Sequence, residues 1–223
     1  MIEEMIEEAD PDIIALQSVC QNPKGKDQAR QIAEATGYGY YFFVTADTAA
    51  NGTNRGQAMI TKHPFIGSYS TDLSVRTDLP DSTRRLILVA EVQTQEGMLR
   101  IFNTHFSWVR EQAQENVEET LFLLNEFSGP GLVIGELNPT AHQDVLEPLK
   151  KAGWEDGGEL LSTPLNHVFI NQESKLYLRQ ISAGHSESEN RCLQVADDFA
   201  LIVELDMTIG SAMHQRMMSS SRF

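Results

Sequence analysis

The sequence has few cysteines, no long apolar run and no linker, and each shortage excludes a class of protein. Its 223 residues include two cysteines, Cys20 and Cys192, whose distant placement fits neither a disulfide framework nor a metal-binding pair. No apolar stretch reaches the ~18 residues that a membrane-spanning helix needs. The acidic first eight residues also differ from a secretory signal, which begins with basic residues. We therefore expect buried thiols and a soluble monomer, with the cytoplasm as its default location.

Basic residues are also scarce, with 17 Lys and Arg against 32 Asp and Glu and a formal net charge of −15. Such a charge repels polyphosphates and removes the attraction on which non-specific nucleic-acid binding relies. A phosphoester ligand would then need a bound cation or a local basic patch. Taken alone, the charge is explained by solubility.

Helical and strand patterns alternate along the chain, which predicts one α/β domain over residues 1–206 and a flexible tail over residues 207–223. Helices are predicted at 1–9, 26–36, 113–124 and 143–152. Strands are predicted at 13–16, 40–44, 57–60, 86–94, 99–106, 132–134, 165–170, 176–181 and 199–205. Loops expected to set specificity lie at 47–56, 67–83 and 183–194. These loops have no aromatic cluster or basic run typical of nucleic-acid binding.

Polar side chains follow two of the predicted strands. In the strand over residues 99–106, alternation places Leu99, Ile101, Asn103 and His105 on one face. The apolar strand over residues 132–134 runs directly into Gly-Glu-Leu-Asn. The sequence therefore predicts polar groups at neighbouring strand ends.

Six segments occur in the order and wording of the motifs of one superfamily. The first two are residues 9–19 (ADPDIIALQSV), similar to "adpDIiaLQEv", and residues 56–64 (GQAMITKHP), similar to "GNaiLSkyP". The other four are 103–106 (NTHF), 135–139 (GELNP), 166–169 (NHVF) and 196–199 (ADDF), similar to "NTHL", "GDFN", "DHIF" and "SDHfP". Over about residues 1–206 the chain thus resembles the endonuclease/exonuclease/phosphatase (deoxyribonuclease-I-like) superfamily.

This resemblance implies an α/β (α+β) fold in which two packed mixed β-sheets form a four-layer sandwich flanked by helices. The opening strand of the family has no counterpart here, so we expect the first strand to be missing, through truncation of the sequence or loss from the protein. The implied site lies where loops from both sheets converge. Family members cleave phosphoesters with magnesium or a similar ion, so the implied cofactor is Mg or Mn. The implied substrate is a phosphoester small molecule, a lipid headgroup or a nucleic acid.

The resemblance also assigns roles to residues. His105 matches the first catalytic histidine, Asn138 the asparagine that orients phosphate and water, and Asp197 the late aspartate near the metal. Glu136 replaces the aspartate of "GDFN", and Asn166 and Asp198 stand where the family has an aspartate–histidine pair. The implied catalytic set is His105, Glu136, Asn138, Asn166 and Asp197. The implied metal ligands are Glu136, Asp197 and Asp198.

Two substitutions act against the implied chemistry. Ser18 replaces the metal-binding glutamate, and a hydroxyl binds Mg²⁺ more weakly than a carboxylate. Asp198 replaces a histidine and places negative charge beside a phosphoryl group. Three hypotheses stay open: a hydrolase with a rearranged site, a pseudoenzyme that binds a phosphorylated ligand or a protein partner, and a truncated or degenerate gene product.

Several side chains also have simpler interpretations. His105 alone fits a hydrogen-bonded core histidine, and Asn138 before a proline fits a turn. His167 is expected to be structural. Arg84 and Arg85 fit either a phosphate contact or an exposed strand edge.

Overall fold

A computed structural model describes residues 2–24, 27–94, 97–138, 143–157, 165–171, 177–184 and 200–206. Its helices are α1 (Ile2–Ala9), α2 (Gln28–Thr36), α3 (Arg110–Asn125) and α4 (Glu147–Lys151), the last preceded by a 3-10 turn at Gln143–Leu146. The first strands are β1 (Ile13–Gln21), β2 (Tyr40–Thr48), β3 (Asn54–Thr61), β4 (Phe65–Leu73), β5 (Arg85–Thr94) and β6 (Gly97–His105). The others are β7 (Gly131–Glu136), β8 (Trp154–Asp156), β9 (Asn166–Asn171), β10 (Tyr177–Gly184) and β11 (Ala200–Asp206).

Two β-sheets organise the described chain. One has six strands in the order β4-β5-β6-β7-β9-β8 and is mixed, because β6 and β7 run parallel while the other neighbours are antiparallel. The other has three antiparallel strands in the order β1-β3-β2. Strands β10 and β11 form a separate antiparallel pair.

Apolar side chains define four layers. Met59 of β3 packs between the sheets against Leu88 of β5 and Ile101 of β6. The outer face of the six-stranded sheet is covered by α3 and α4, and that of the three-stranded sheet by α1 and α2. Strand β5 is buried over Arg85–Ala90, as expected for a strand covered on both faces. This α/β sandwich confirms the predicted fold class.

Most predicted elements are present, but strand residues occur in all three predicted loops. Strands β2 and β3 extend into residues 47–56, where Asp47 pairs with Arg55 and Thr48 with Asn54. Strand β4 occupies the start of the predicted loop 67–83. It is an edge strand containing Gly and Ser, so it lacks the apolar run of a central strand. Of the predicted loop 183–194, the first two residues belong to β10 and the rest lie outside the described residues, as does the tail 207–223.

No helix among the described residues is both long and apolar enough to cross a membrane. The longest of them, α3, has 16 residues and carries charged side chains along its length.

Candidate functional site

Four of the predicted site residues lie at adjacent strand ends. Cα pairing places His105 of β6 opposite Glu136 of β7, and Glu136 opposite Asn166 of β9. Asn138 follows β7 and donates a hydrogen bond from Nδ2 to the backbone carbonyl of Phe106 at 2.8 Å. The predicted residues Asp197 and Asp198 lie outside the described residues.

Gly135 allows the side chains of His105 and Glu136 to lie next to each other. Its φ is 148°, a conformation that L side chains rarely adopt, and a Cβ there would lie 1.9 Å from the carbonyl oxygen of Thr104. A larger residue would push β7 away from β6. Glycine is therefore required for the parallel pairing that sets Glu136 beside His105.

Asn138 has the backbone geometry of a turn residue. Its φ is 50°, in the left-handed region that asparagine tolerates better than most residues. This agrees with the turn interpretation, and the hydrogen bond to Phe106 fixes the side chain near His105.

His105 and Glu136 form the charged pair of the site. Nε2 of His105 lies 3.3 Å from Oε2 of Glu136, and each side chain is about 20% exposed. Burial by itself raises the pKa of Glu136, but the hydrogen bond from His105 and the positive charges of His105 and Arg85 outweigh it and lower the pKa below its usual value. Glu136 is therefore ionised at neutral pH. Its contact with Nε2 fixes the imidazole of His105.

A buried ion pair lies beneath this histidine. Asp81 and Arg85 are 4% and 6% exposed, and Nη2 of Arg85 lies 2.5 Å from Oδ2 of Asp81. Asp81 also accepts a hydrogen bond from Oγ of Ser107 at 2.5 Å, and Nη1 of Arg85 donates to the backbone carbonyl of His105 at 3.4 Å. The pair thus holds the backbone on both sides of Phe106.

Ser18, at the position of the expected metal-binding glutamate, occupies a β-bulge. Pairing between β1 and β3 shifts between Leu16 and Val19, and Ser18 has a φ of 57° with its side chain exposed. Asn103 of β6 fixes the bulge, because its Oδ1 accepts from Nε2 of Gln17 at 2.6 Å and its Nδ2 donates to the carbonyl of Leu16 at 3.2 Å. Ser18 in this bulge lines a cleft.

This cleft has a volume of about 190 Å³ and lies beside the row of strand ends. It is lined by Ser18, Ala46, Asp47, Arg55, Gly56, Gln57, Thr83, Arg84, Arg85 and His105. Three arginines line the cleft together with Asp47, so basic side chains are concentrated there although the whole chain is strongly acidic. Asp72 and Asp81 pair with two of these arginines and offset part of the positive charge. The cleft is thus a local cluster of basic side chains, one of the two features, with a bound cation, that the sequence predicts for a phosphoester site.

Each cleft arginine is fixed by a carboxylate. Arg55 contacts Asp47 at 2.7 Å, and Arg84 contacts Asp72 at 2.5 Å while donating to the carbonyl of Thr45 at 2.7 Å. The exposed-edge interpretation is wrong for Arg85, because β5 lies between β4 and β6 and the Arg85 side chain is buried. Arg84 is exposed, as that interpretation expects, but it directly precedes an inner strand.

Three site residues were missed by the sequence analysis. Asp81 carries no motif signal, and Arg55 and Gln57 flank a glycine in a motif whose recognised feature was its apolar strand. The signal available for Gln57 was its amide within an otherwise apolar run. Its side chain is 3% exposed and donates from Nε2 to the carbonyl of Leu86 at 3.2 Å.

The fit of these residues to a divalent ion is incomplete. Within the described ranges no group of three His, Cys, Asp or Glu side chains is placed to hold a metal. Glu136 is engaged with His105, and Ser18 supplies a neutral hydroxyl. The described donors therefore do not fit Mg²⁺ by themselves, and a metal site would depend on Asp197 and Asp198.

His167 is structural, as expected. It is buried in β9, and Nδ1 lies 3.0 Å from Oδ2 of Asp156 in β8. Its ring also stacks on that of Phe169. The contact with Asp156 joins β9 to the edge strand β8.

Comparison with known proteins gives matches in structure alone. No family model matches the sequence, and no curated protein matches it either. An endonuclease/exonuclease/phosphatase from Beutenbergia cavernae DSM 12333 superposes with a TM-score of 0.75 at 18% identity, covering 92% of this chain and 65% of that one. This chain therefore spans just under two thirds of that neighbour's length.

Two other similar structures have named activities or ligands. The human nocturnin catalytic domain with bound sulfate anion has a TM-score of 0.68 at 19% identity, covering 93% of this chain and 84% of that one. A mannosyl-6-phosphatase of Bacteroides thetaiotaomicron VPI-5482 has a TM-score of 0.68 at 16% identity, covering 92% and 89%. At these identities the similarity establishes the fold.

Proposed function

We propose that this chain, which has the fold of the endonuclease/exonuclease/phosphatase superfamily, is a divalent-metal-dependent phosphoester hydrolase with a substituted active site. The observation that carries the proposal is the row of His105, Glu136, Asn138 and Asn166 at adjacent strand ends, next to an arginine-lined cleft. The family resemblance assigns the metal ligands to Glu136, Asp197 and Asp198. Because Glu136 contacts His105 in this structure, metal dependence is a separate prediction.

Side chains of this protein can supply phosphate binding and one proton donor. Arginine guanidinium groups are matched to phosphoryl oxygens, and Arg55, Arg84 and Arg85 provide three around one cleft. His105 is placed at the cleft wall to donate from its imidazole to a phosphoryl or leaving-group oxygen. Glu136 supports this role by fixing the orientation of the imidazole through its contact with Nε2.

The neighbours in structure support the type of ligand. One is named as a mannosyl-6-phosphatase, and the nocturnin domain holds a sulfate anion, which has the tetrahedral shape of phosphate. Since one scaffold hosts many activities, fold similarity leaves the substrate open. The basic cleft is the feature of this chain that independently favours a tetrahedral anion.

A second candidate function is a noncatalytic scaffold that binds a phosphorylated ligand or protein partner. Ser18 favours it, because a neutral hydroxyl stands at the cleft where the family resemblance expects a metal-binding carboxylate. The arginines would still bind phosphate in such a protein. Both candidate functions predict phosphate binding, but only the hydrolase predicts turnover of a phosphoester.

The experiment combines metal titration with turnover. Calorimetry with Mg²⁺ and Mn²⁺ is paired with hydrolysis of bis(p-nitrophenyl) phosphate and p-nitrophenyl phosphate by wild type and His105→Ala. His63→Ala is the matched control, because His63 follows the opposite end of β3 from the cleft residue Arg55.

We expect saturable metal binding and turnover that falls on the order of a hundredfold or more in His105→Ala and stays unchanged in His63→Ala. Metal-independent phosphate binding without turnover would instead establish the noncatalytic scaffold. Equal turnover in His105→Ala and wild type would exclude His105 from catalysis.

A further inference from the structure

Helix α3 buries polar side chains as well as apolar ones. Its Val117 belongs to the apolar cluster that packs on the six-stranded sheet. Four polar residues on or just before this helix are nevertheless 0% exposed: Ser107, Gln112, Asn116 and Thr120. Burying a polar side chain costs free energy unless its hydrogen bonds are made in the protein. The partners of these side chains therefore indicate which parts of the chain they hold in place.

Asn116 joins α3 to the segment that follows His105. Its Oδ1 accepts a hydrogen bond from the backbone N–H of Ser107 at 3.2 Å, and its Nδ2 donates to the carbonyl of Ser74 at 3.4 Å. The hydroxyl of Ser107 donates to Oδ2 of Asp81 at 2.5 Å and accepts from the N–H of Val109 at 3.1 Å. Ser107 is thus held through both its backbone and its side chain.

These contacts complete a set of three at the end of β6. The strand ends at His105, where regular pairing with β5 and β7 stops. The carbonyl of His105 accepts from Arg85, and that of Phe106 accepts from Asn138. With the N–H of Ser107 bound to Asn116, three consecutive residues each have a backbone group fixed by a side chain from another part of the fold.

We propose that Asn116 and Asp81 hold Ser107 in place and that this anchor positions the imidazole of His105 at the cleft wall. Apolar packing could join a helix to a sheet at comparable stability, but a fully hydrogen-bonded buried network specifies one arrangement. Catalysis needs such precision, since a shift of about 1 Å in a reacting group can cost about a hundredfold in rate. The inference rests on the proposed function, in which His105 is the proton donor. Asn116 and Ser107 are positioning residues, because they act through the backbone of His105.

The test separates positioning from general stability. We would measure kcat and KM for bis(p-nitrophenyl) phosphate with Mg²⁺ on the full chain, in wild type, Asn116→Leu and Asn116→Asp. Leucine is similar in size and makes neither hydrogen bond. Burial favours the neutral form of a carboxyl group, which can accept through one oxygen and donate through the other, so aspartate is the conservative replacement.

Gln112→Leu is the matched control. Gln112 lies one turn earlier on α3 and is equally buried. Its Oε1 accepts from the N–H of Arg76 at 2.6 Å and its Nε2 donates to the carbonyl of Ser74 at 2.7 Å. This variant therefore loses two buried hydrogen bonds on the same helix without releasing Ser107.

We expect Asn116→Leu to lower kcat about tenfold or more with KM nearly unchanged, because the imidazole is displaced while the cleft arginines are retained. Asn116→Asp should recover most of this loss, and Gln112→Leu should keep the wild-type kcat. Equal falls in kcat for Asn116→Leu and Gln112→Leu, or no fall in a folded Asn116→Leu, overturn the inference. If Asn116→Leu fails to fold, Ser107→Ala decides, because it breaks the bond to Asp81 and should also lower kcat; an unchanged kcat overturns the inference.

A nuclear magnetic resonance measurement separates this inference from the proposed function. The Hε1–Cε1 signal of the His105 imidazole is identified by its loss in His105→Ala. We expect it to move in Asn116→Leu and Ser107→Ala and to stay in place in Gln112→Leu, whether or not the protein turns over the substrate. Absence of turnover in wild type refutes the proposed hydrolase, and a signal that moves as expected then still supports the anchor. A signal unmoved in both Asn116→Leu and Ser107→Ala overturns the anchor alone.

Discussion

Replacing Asp81 with alanine should destabilise the protein strongly, because it leaves a buried guanidinium without its counter-charge. The Asp81 and Arg85 side chains are 2% and 7% exposed, and their charged atoms lie 2.5 Å apart. Asp81 also accepts hydrogen bonds from Ser107 and from the backbone N–H of Thr83. Its removal therefore leaves three donors without this acceptor.

The burial sets the size of the effect. Removing one partner of a buried ion pair costs about 3–5 kcal/mol, whereas exposed pairs contribute about 0.2–1 kcal/mol. For a domain of this size that corresponds to a fall in Tm of roughly 6–20 °C. Adding Arg85→Met to Asp81→Ala removes the stranded charge, so the double variant should be more stable than Asp81→Ala alone.

The neighbouring arginine provides the matched control. Arg84 pairs with Asp72 at the same 2.5 Å separation, but those side chains are 46% and 59% exposed. Free energies of unfolding from urea denaturation, followed by circular dichroism, should show a loss below about 1 kcal/mol for Asp72→Ala. Equal losses for Asp81→Ala and Asp72→Ala would refute the argument from burial.

Two further predictions concern the strand ends and acid stability. Gly135→Ala should destabilise the protein by at least ~1 kcal/mol and disturb the His105–Glu136 contact, because the new Cβ would clash with the Thr104 carbonyl. A chemical-denaturation curve unchanged from wild type would contradict this. The folded-state pKa of Glu136 lies below its ordinary 4.5, so its ionised form stabilises the fold above about pH 4.5 and this contribution disappears as pH falls through the folded pKa. Unfolding free energies of wild type and Glu136→Gln should converge below that range, and a constant difference from pH 3 to 7 would contradict it.

The fold could be predicted from the sequence where strands are buried on both faces. The apolar runs of β5 and β7 are short and end at turn residues, which favours a strand over a helix. Strand β4 was missed because an edge strand satisfies its exposed face with polar residues and glycine, which resemble a loop in sequence. Strand β8 is an edge strand of three residues and carries no periodic signal.

The candidate site also contains residues that could be predicted from the sequence and residues that could not. The predicted site residues lie at the ends of recognisable strands, so their convergence was predictable from parallel and antiparallel pairing: His105, Glu136, Asn138 and Asn166. The cleft could not be predicted, because Arg55 is distant in sequence from Arg84 and Arg85 and they converge through the packing of two sheets. Asp81 was missed because a lone aspartate before a strand resembles a solvated turn, and its burial depends on Ser107 and Arg85.

The acidic composition and the basic cleft are compatible because electrostatic forces between exposed charges are short-ranged in salt. At physiological ionic strength the Debye length is about 8 Å, so carboxylates farther from the cleft are largely screened. Within that distance an anion in the cleft would meet Arg55, Arg84 and Arg85. The aspartates paired with them hold the guanidinium groups in place and offset part of their charge. The −15 net charge then opposes the approach of long polyanions more than the binding of a small phosphoester, which favours a small-molecule substrate over nucleic acid for the proposed hydrolase.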